Sequence, residues 1–133
     1  MKRARVVLNP EQRRIACRVM VEALVYHKAE VLSFCVGAKH WHGLVRFHAP
    51  GTILTKDRLA RHLMGIAKKR SARYLSDAQL VDRGGVWAKR CRPMPINDRA
   101  HQVRVFGYIR DHRKKGAAVW SIDPKDQRAL GIG

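Results

Sequence analysis

Two apolar segments separated by a short turn constrain the fold of this chain more than any other feature. EVLSFCV covers residues 30–36 and HWHGLVRF covers residues 40–47, with Gly37, Ala38 and Lys39 between them. Segments rich in β-branched and aromatic residues on either side of a glycine-containing turn predict a β-hairpin. The chain must therefore contain an antiparallel pair of strands, and its other elements must cover that pair.

Helix start signals and apolar periodicity predict three helices around the hairpin. Asn9 caps the first helix, and Pro10 occupies its first helical position. Thr55 caps the second helix, and Asn97 caps the third. The predicted helices cover about residues 10–27, 56–74 and 98–115.

Shorter segments complete the predicted topology. Residues 2–8 end in RVVL, a strand candidate, and VWAKRCRPMPI at 86–96 is a broken strand. The resulting order is β-α-β-β-α-β with an added C-terminal helix that carries a tyrosine, which predicts an α+β, ferredoxin-like antiparallel sheet. AAVW at 117–120 is one further short strand candidate. We expect one domain over 1–120 and a loose C-terminal tail over 121–133.

The charge of the chain indicates a polyanionic partner. There are 28 Lys and Arg against 10 Asp and Glu, a formal net charge of +18 and a pI of about 11.1. With 46% hydrophobic residues, this charge lies on a folded body rather than a disordered tail. A solvated surface is the usual role of charged runs, but this excess favours phosphate binding. The basic side chains expected to contact DNA are Arg58, Arg61, Lys68, Lys69, Arg70, Arg110, Arg113 and Lys114.

Neither a secretory nor a membrane-spanning segment is predicted. The basic start of the chain is followed by too few apolar residues for a signal core, and no apolar run approaches the length of a membrane span. Cys17, Cys35 and Cys91 are far apart and form no CxxC pair. We therefore expect reduced cysteines, a cytoplasmic location and no membrane partner.

Two histidines at alternate strand positions are candidate ligands. His40 and His42 point to one face of the second strand, so they can converge on one metal ion or one phosphate. In the alternative interpretation, one histidine packs and the other caps the turn. Trp41 points to the opposite face and is expected in the core.

A tyrosine and a histidine one helical turn apart supply the residues that such a site would need. Tyr108 and His112 lie at positions i and i+4 of the third helix and share a face. A catalytic metal site needs about three protein ligands, and a tyrosine hydroxyl beside it can act as a nucleophile on phosphorus. Tyr108 alone is equally typical of a half-buried helix residue. The combination of H-x-H with Y-x-x-x-H occurs far less often by chance.

These segments resemble the single-tyrosine HUH transposases, and among them the REP-associated tyrosine transposases. The resemblance lies in LSFCVGAKHWHGLVRF, GGVWAKR and YIRDHRKKGAAVW, and it runs from about Val6 to Trp120. It implies that His40 and His42 are metal ligands and that Tyr108 is the nucleophile. His112 falls on the third ligand, which in many relatives is Asn or Gln.

The resemblance also implies a reaction and its partners. Such an enzyme cleaves and rejoins single-stranded DNA through a 5′-phosphotyrosine intermediate, with Mg or Mn as the divalent metal. Zn is possible here because the three predicted ligands are imidazoles. The expected partner is hairpin-forming single-stranded DNA on the nucleoid, and a homodimer is possible.

Two other functions are compatible with the same residues. Lys39 stands where relatives often have Asn, and the strand before the first helix is shorter than in relatives. The short strand favours a catalytically decayed or domesticated protein that binds single-stranded nucleic acid, whereas the retention of His40, His42, Tyr108 and His112 argues against decay. A small metal-dependent nuclease or RNA-processing enzyme in which Tyr108 is structural is the third candidate. His101 is assigned a surface or packing role, although its position on the tyrosine face of the helix would also let it reach DNA.

Overall fold

A computed structural model of the protein describes residues 7–48, 56–77, 87 and 93–131. These residues form an α+β structure with four α-helices and a three-stranded antiparallel sheet. The helices are α1 (Pro10–Tyr26), α2 (Lys56–Asp77), α3 (Arg99–Asp111) and α4 (Pro124–Ala129). The strands are β1 (Glu30–Val36), β2 (Trp41–Arg46) and β3 (Ala118–Ser121), and a 3-10 turn (His112–Lys115) follows α3 directly.

The predicted hairpin is confirmed, and it forms two of the three strands of the sheet. β1 pairs with β2 on one side and with β3 on the other, both antiparallel. The backbone NH of Gly37 donates to the carbonyl of His40 at 2.8 Å and closes the turn. The pairing register shifts between Val31 and Ser33, which is a β-bulge. Because of this extra residue, Val31 and Phe34 belong to the same apolar cluster.

The sheet lies between two layers of helix. Phe34 and Val36 face α1 in the larger apolar cluster, and α2 packs against α1 in the same cluster. Cys35 and Leu44 face the other way and pack with Ile109 of α3. Leu44 of β2 therefore packs beneath α3.

Of the three predicted helix caps, Asn9 is confirmed and Asn97 is replaced by its neighbour. Asn9 and Gln12 form a reciprocal capping box, in which each side chain accepts from the other residue's backbone NH, at 2.9 and 2.8 Å. The cap of α3 is Asp98 rather than Asn97, because the Asp98 carboxylate accepts from His101 NH at 2.8 Å. Thr55, the predicted cap of α2, lies outside the described residues.

The C-terminal segment differs from the expected loose tail. Ser121 ends β3, and residues 124–129 form α4, whose Asp126 is buried. Asp123 and Pro124 begin this helix with the same Asx-Pro signal that begins α1. The helix that carries Tyr108 is consequently α3, which β3 and α4 follow, and not the last helix of the chain.

Two predicted strands fall wholly or mainly outside the described residues. Residues 1–6 and most of 86–96 are not described, and residues 93–96 carry no strand. The specific β-α-β-β-α-β arrangement is therefore still a prediction, whereas the α+β class is confirmed. In the part of the chain that the structure describes, every helix is too short or too polar to cross a bilayer.

Candidate functional site

Strand β2 directs His42 towards α3. His42 is paired in register with Cys35, whose side chain lies in the apolar cluster beneath α3. Trp41 points to the other face, where its ring stacks on Phe34 at 5.6 Å between centroids and 3° between planes. Trp41 is partly buried and packs against the larger apolar cluster on the face that the alternation predicts. The strand alternation that buries the indole leaves the neighbouring imidazole on the α3 side.

The end of α3 fixes the orientation of His112. Its Nδ1 lies 2.8 Å from the backbone carbonyl oxygen of Tyr108, one turn earlier. A carbonyl oxygen only accepts hydrogen bonds, so Nδ1 carries the proton and donates it. In the neutral ring the lone pair is then on Nε2, the nitrogen that remains available to a ligand.

Three of the four predicted site residues converge. The ring centroids of His42 and His112 are 4.8 Å apart, and those of Tyr108 and His112 are 4.7 Å apart. The ring of Tyr108 lies edge-on to His42 at 6.0 Å, and the tyrosine is 57% exposed. The phenol is thus open to solvent beside two imidazoles that come from different elements.

The surroundings of His42 favour its neutral form. Burial lowers the pKa of His42 below its ordinary value of 6.5, and the positive charges of His112, His40 and Lys115 lower it further. A neutral imidazole has the lone pair that a metal ion or a proton requires. His42 is therefore suited to act as a ligand at neutral pH.

His40 lies at the edge of the hairpin turn rather than within β2. It precedes β2, is exposed, and its backbone carbonyl closes the hairpin turn. No three His, Cys, Asp or Glu side chains among the described residues are arranged to hold a metal ion. His42 and His112 present two imidazoles with suitable protonation, whereas the set of three ligands is still a prediction.

Two of the predicted DNA-binding arginines are bound to carboxylates. Arg110 donates from Nε to Asp126 at 2.8 Å and from a terminal nitrogen to Asp123 at 3.2 Å. Arg113 donates to the second oxygen of Asp126 at 2.5 Å. Ser121 donates its hydroxyl proton to the same carboxylate. These contacts attach the tyrosine-bearing helix to α4, so both guanidinium groups have a structural partner.

The basic face of α2 is not brought to Tyr108. α2 packs on α1, which lies across the sheet from α3. Arg58, Arg61, Lys69 and Arg70 are exposed there, and Lys68 is half-buried. Among the predicted DNA contacts, Lys114 is exposed in the 3-10 turn that begins with His112.

Sequence reasoning missed Asp126 and the local hydrogen bond of His101. Asp126 is 1% exposed, and the Asp123-Pro124 helix start was the signal that could have located it. His101 accepts the backbone NH of Asn97 through Nδ1 at 3.2 Å. Its imidazole therefore belongs to the start of α3, almost two turns from Tyr108.

Comparison of the chain with models of known protein families, with curated proteins and with solved structures finds no match. The resemblance to the HUH transposases consequently depends on the motifs of the sequence and on the residues of this site.

Proposed function

We propose that the protein is a metal-dependent tyrosine transposase that cleaves and rejoins single-stranded DNA. The observation that carries this proposal is the convergence of Tyr108 with His42 and His112, at 4.7 to 6.0 Å between ring centroids. Two motifs more than sixty residues apart in the sequence meet at one point, with the phenol exposed. Packing alone provides no reason for a solvent-exposed tyrosine at that point.

In the proposed reaction, Tyr108 is the nucleophile. Its phenolic oxygen attacks the scissile phosphorus and loses its proton to the surrounding solvent. The bond from phosphorus to the 3′ oxygen breaks, and that oxygen leaves as a free 3′-hydroxyl after protonation. The product is a 5′-phosphotyrosine. A 3′-hydroxyl then attacks the phosphotyrosine, which restores the phenol and joins the new strand.

The residues that would hold the metal are His42, His112 and His40. A divalent ion, when bound, supplies polarisation of a phosphoryl oxygen. The hydrogen bond from His112 Nδ1 to the Tyr108 carbonyl orients that imidazole. The lowered pKa of His42 keeps the second imidazole neutral. Mg or Mn is the expected metal, and Zn is the alternative for a site made of imidazoles.

The other parts of the proposal concern the partner and the setting. A net charge of +18 supports a nucleic-acid ligand, which we take to be hairpin-forming single-stranded DNA on the nucleoid in the cytoplasm. We also propose that further strands complete a ferredoxin-like sheet and that a homodimer is one form of the protein.

A binding protein without catalysis is the second candidate. The observation that favours it is that no group of three potential metal ligands is assembled among the described residues. In that case the charge and the fold serve single-stranded nucleic acid, and Tyr108 is a contact residue.

Covalent capture separates the two candidates. Purified protein is incubated with labelled hairpin-bearing single-stranded DNAs and Mg or Mn, and the mixture is run on a denaturing gel. Wild type is compared with Tyr108→Phe, which lacks only the nucleophilic oxygen. A second control is the wild-type reaction without added metal. We expect a shifted, metal-dependent band that Tyr108→Phe abolishes.

Tyr74→Phe is a matched control, since it removes a hydroxyl from another exposed tyrosine on a different helix. It should give the same adduct as wild type. DNA binding without any adduct would favour the second candidate. Metal-dependent cleavage by Tyr108→Phe at the wild-type rate would show that Tyr108 is not the nucleophile.

A further inference from the structure

Two exposed tyrosines and an arginine lie on the side of the molecule formed by α1 and α2. Tyr26 ends α1 and is 73% exposed, and Tyr74 lies on α2 and is 47% exposed. The guanidinium carbon of Arg70 lies 5.3 Å from the centroid of the Tyr26 ring. Arg70 and Tyr74 are one helical turn apart and share a face of α2. We call these three residues the Tyr26 platform.

The chemistry of the Tyr26 platform fits unpaired nucleobases. Every base has a π-face, and exposed aromatic rings in a basic surrounding bind single strands by stacking. The planar guanidinium of Arg70 can stack on a base and also donate to a phosphate. Burying such rings against bases would remove apolar area that the folded chain leaves in water.

The local charge is also suited to a polyanion. Lys69 is exposed beside Arg70 on α2, and Lys28 follows the end of α1. Glu22 is the acidic side chain one turn before Tyr26, and Arg18 lies 4.0 Å from it. The surroundings of the Tyr26 platform are therefore positive.

We propose that the Tyr26 platform is a second nucleic-acid site, which holds unpaired nucleotides of single-stranded DNA across the sheet from Tyr108. The choice of DNA as the ligand rests on the proposed function. The platform is carried by α1 and α2, whereas the nucleophile is carried by α3 on the opposite face. A strand held at the platform is thus bound at a place distinct from the scissile phosphate.

The test is a titration of fluorescent oligothymidylate with full-length protein in the presence of EDTA, so that it does not depend on adduct formation. Tyr26→Ala and Tyr74→Ala remove the rings, whereas Tyr26→Phe and Tyr74→Phe keep them. We expect each alanine variant to weaken binding by about 5- to 150-fold, because one base–aromatic stack contributes about 1 to 3 kcal/mol. The phenylalanine variants should bind like wild type.

Arg70 is tested by two substitutions and one control. Arg70→Lys keeps the charge, so we expect weaker binding with an unchanged salt slope. Arg70→Gln should also reduce the slope of log K against log salt by about 0.7. The control is Arg128→Gln, which removes a charge from an exposed arginine on α4. We expect it to change the affinities for single strand and for duplex to the same extent.

The outcomes separate the platform from other roles. Loss of affinity for the single strand, with little change for a duplex of the same length, supports the proposal. Wild-type affinity in both alanine variants would overturn it, as would an equal loss for duplex. A lowered melting temperature with unchanged affinity would overturn it too, since the platform would then only brace α1 against α2. A missing adduct in the capture assay leaves these binding results unaffected and counts against Tyr108 chemistry alone.

Discussion

Glycine is required at position 43 because the ring of Phe34 packs directly against the backbone of β2 there. A Cβ at position 43 would lie 2.7 Å from two carbons of that ring, which is fully buried. Gly43→Ala therefore forces the ring to shift within a packed core, and we expect a loss of about 1 to 3 kcal/mol in the free energy of unfolding. Urea denaturation monitored by tryptophan fluorescence measures this loss.

Gly65→Ala is the control for Gly43, because a Cβ at that position on α2 has no heavy atom within 4 Å. Alanine also has a higher helix propensity than glycine, so this variant should be neutral or stabilised. Equal stabilities for the two variants would contradict the packing argument.

His42 should titrate below its ordinary pKa of 6.5 in the metal-free protein. Burial is the main cause, and His112 is the first of the charged neighbours, so His112→Gln should raise the pKa of His42. As the pH falls through 6.5, the unfolded chain takes up this proton before the folded chain does, and stability decreases. NMR titration of the imidazole signals tests this.

The exposed His62 on α2 supplies the control, since His62→Gln should leave the His42 titration unchanged. A midpoint for His42 at or above 6.5 would show that its surroundings do not disfavour the charged ring.

The spacing of residues predicts which side chains share a face, but not how far apart they finally lie. The i, i+2 spacing places His40 and His42 on one face of a strand, and the i, i+4 spacing places Tyr108 and His112 on one face of a helix. They do not predict that Arg110 and Arg113 bind Asp126, because that contact depends on a helix formed later in the chain. The spacings also do not fix the distance of His40 from His42 and His112, because His40 lies at the junction of the turn and β2.

At the scale of elements, Asp126 attaches α3 to α4. Its carboxylate is 1% exposed and accepts from Arg110, Arg113 and Ser121. Asp126→Asn would remove the charge and leave two guanidinium groups without their full set of acceptors. We expect a loss of about 3 kcal/mol in the free energy of unfolding. Thermal or urea unfolding measures it, and Asp111→Asn, at the exposed end of α3, should change stability little.

The lowered pKa of Asp126 also makes the free energy of unfolding depend on pH in the acid range. Burial raises its pKa, but the hydrogen bonds from Ser121, Arg113 and Arg110 outweigh burial and hold it below the ordinary 3.8. Below about that pH the unfolded chain binds the proton first, so wild type loses stability as the pH falls. Asp126→Asn should lack this part of the acid dependence. An identical acid profile in the two proteins would show that the carboxylate is not held in its charged form.

The sequence predicts the helices and strands better than it predicts which of them pack against each other. The start of α1, both hairpin strands and β3 follow from caps and alternation, because these signals are local. The Asp123-Pro124 signal of α4 lies in a polar segment with little apolar periodicity, so the sequence alone predicts a loose tail there. Its stability comes from contacts with α3 and β3, which no local pattern encodes.

At the scale of the whole molecule, the order of the layers divides the basic residues into two groups. The sequence shows a net charge of +18 and a basic face on α2, but not the side of the sheet on which α2 lies. In the structure, α2 and α1 are on one side and Tyr108 is on the other. Layer order depends on long-range packing, so one sequence could not assign these residues to separate surfaces.

The larger apolar cluster joins residues from distant parts of the chain. Leu8 precedes α1, Leu130 follows α4, and both are buried in that cluster, at 1% and 5% exposed. During synthesis on the ribosome, α1 and the hairpin emerge first, while the residues that complete their core are still untranslated. The larger apolar cluster is therefore incomplete until translation has passed Leu130.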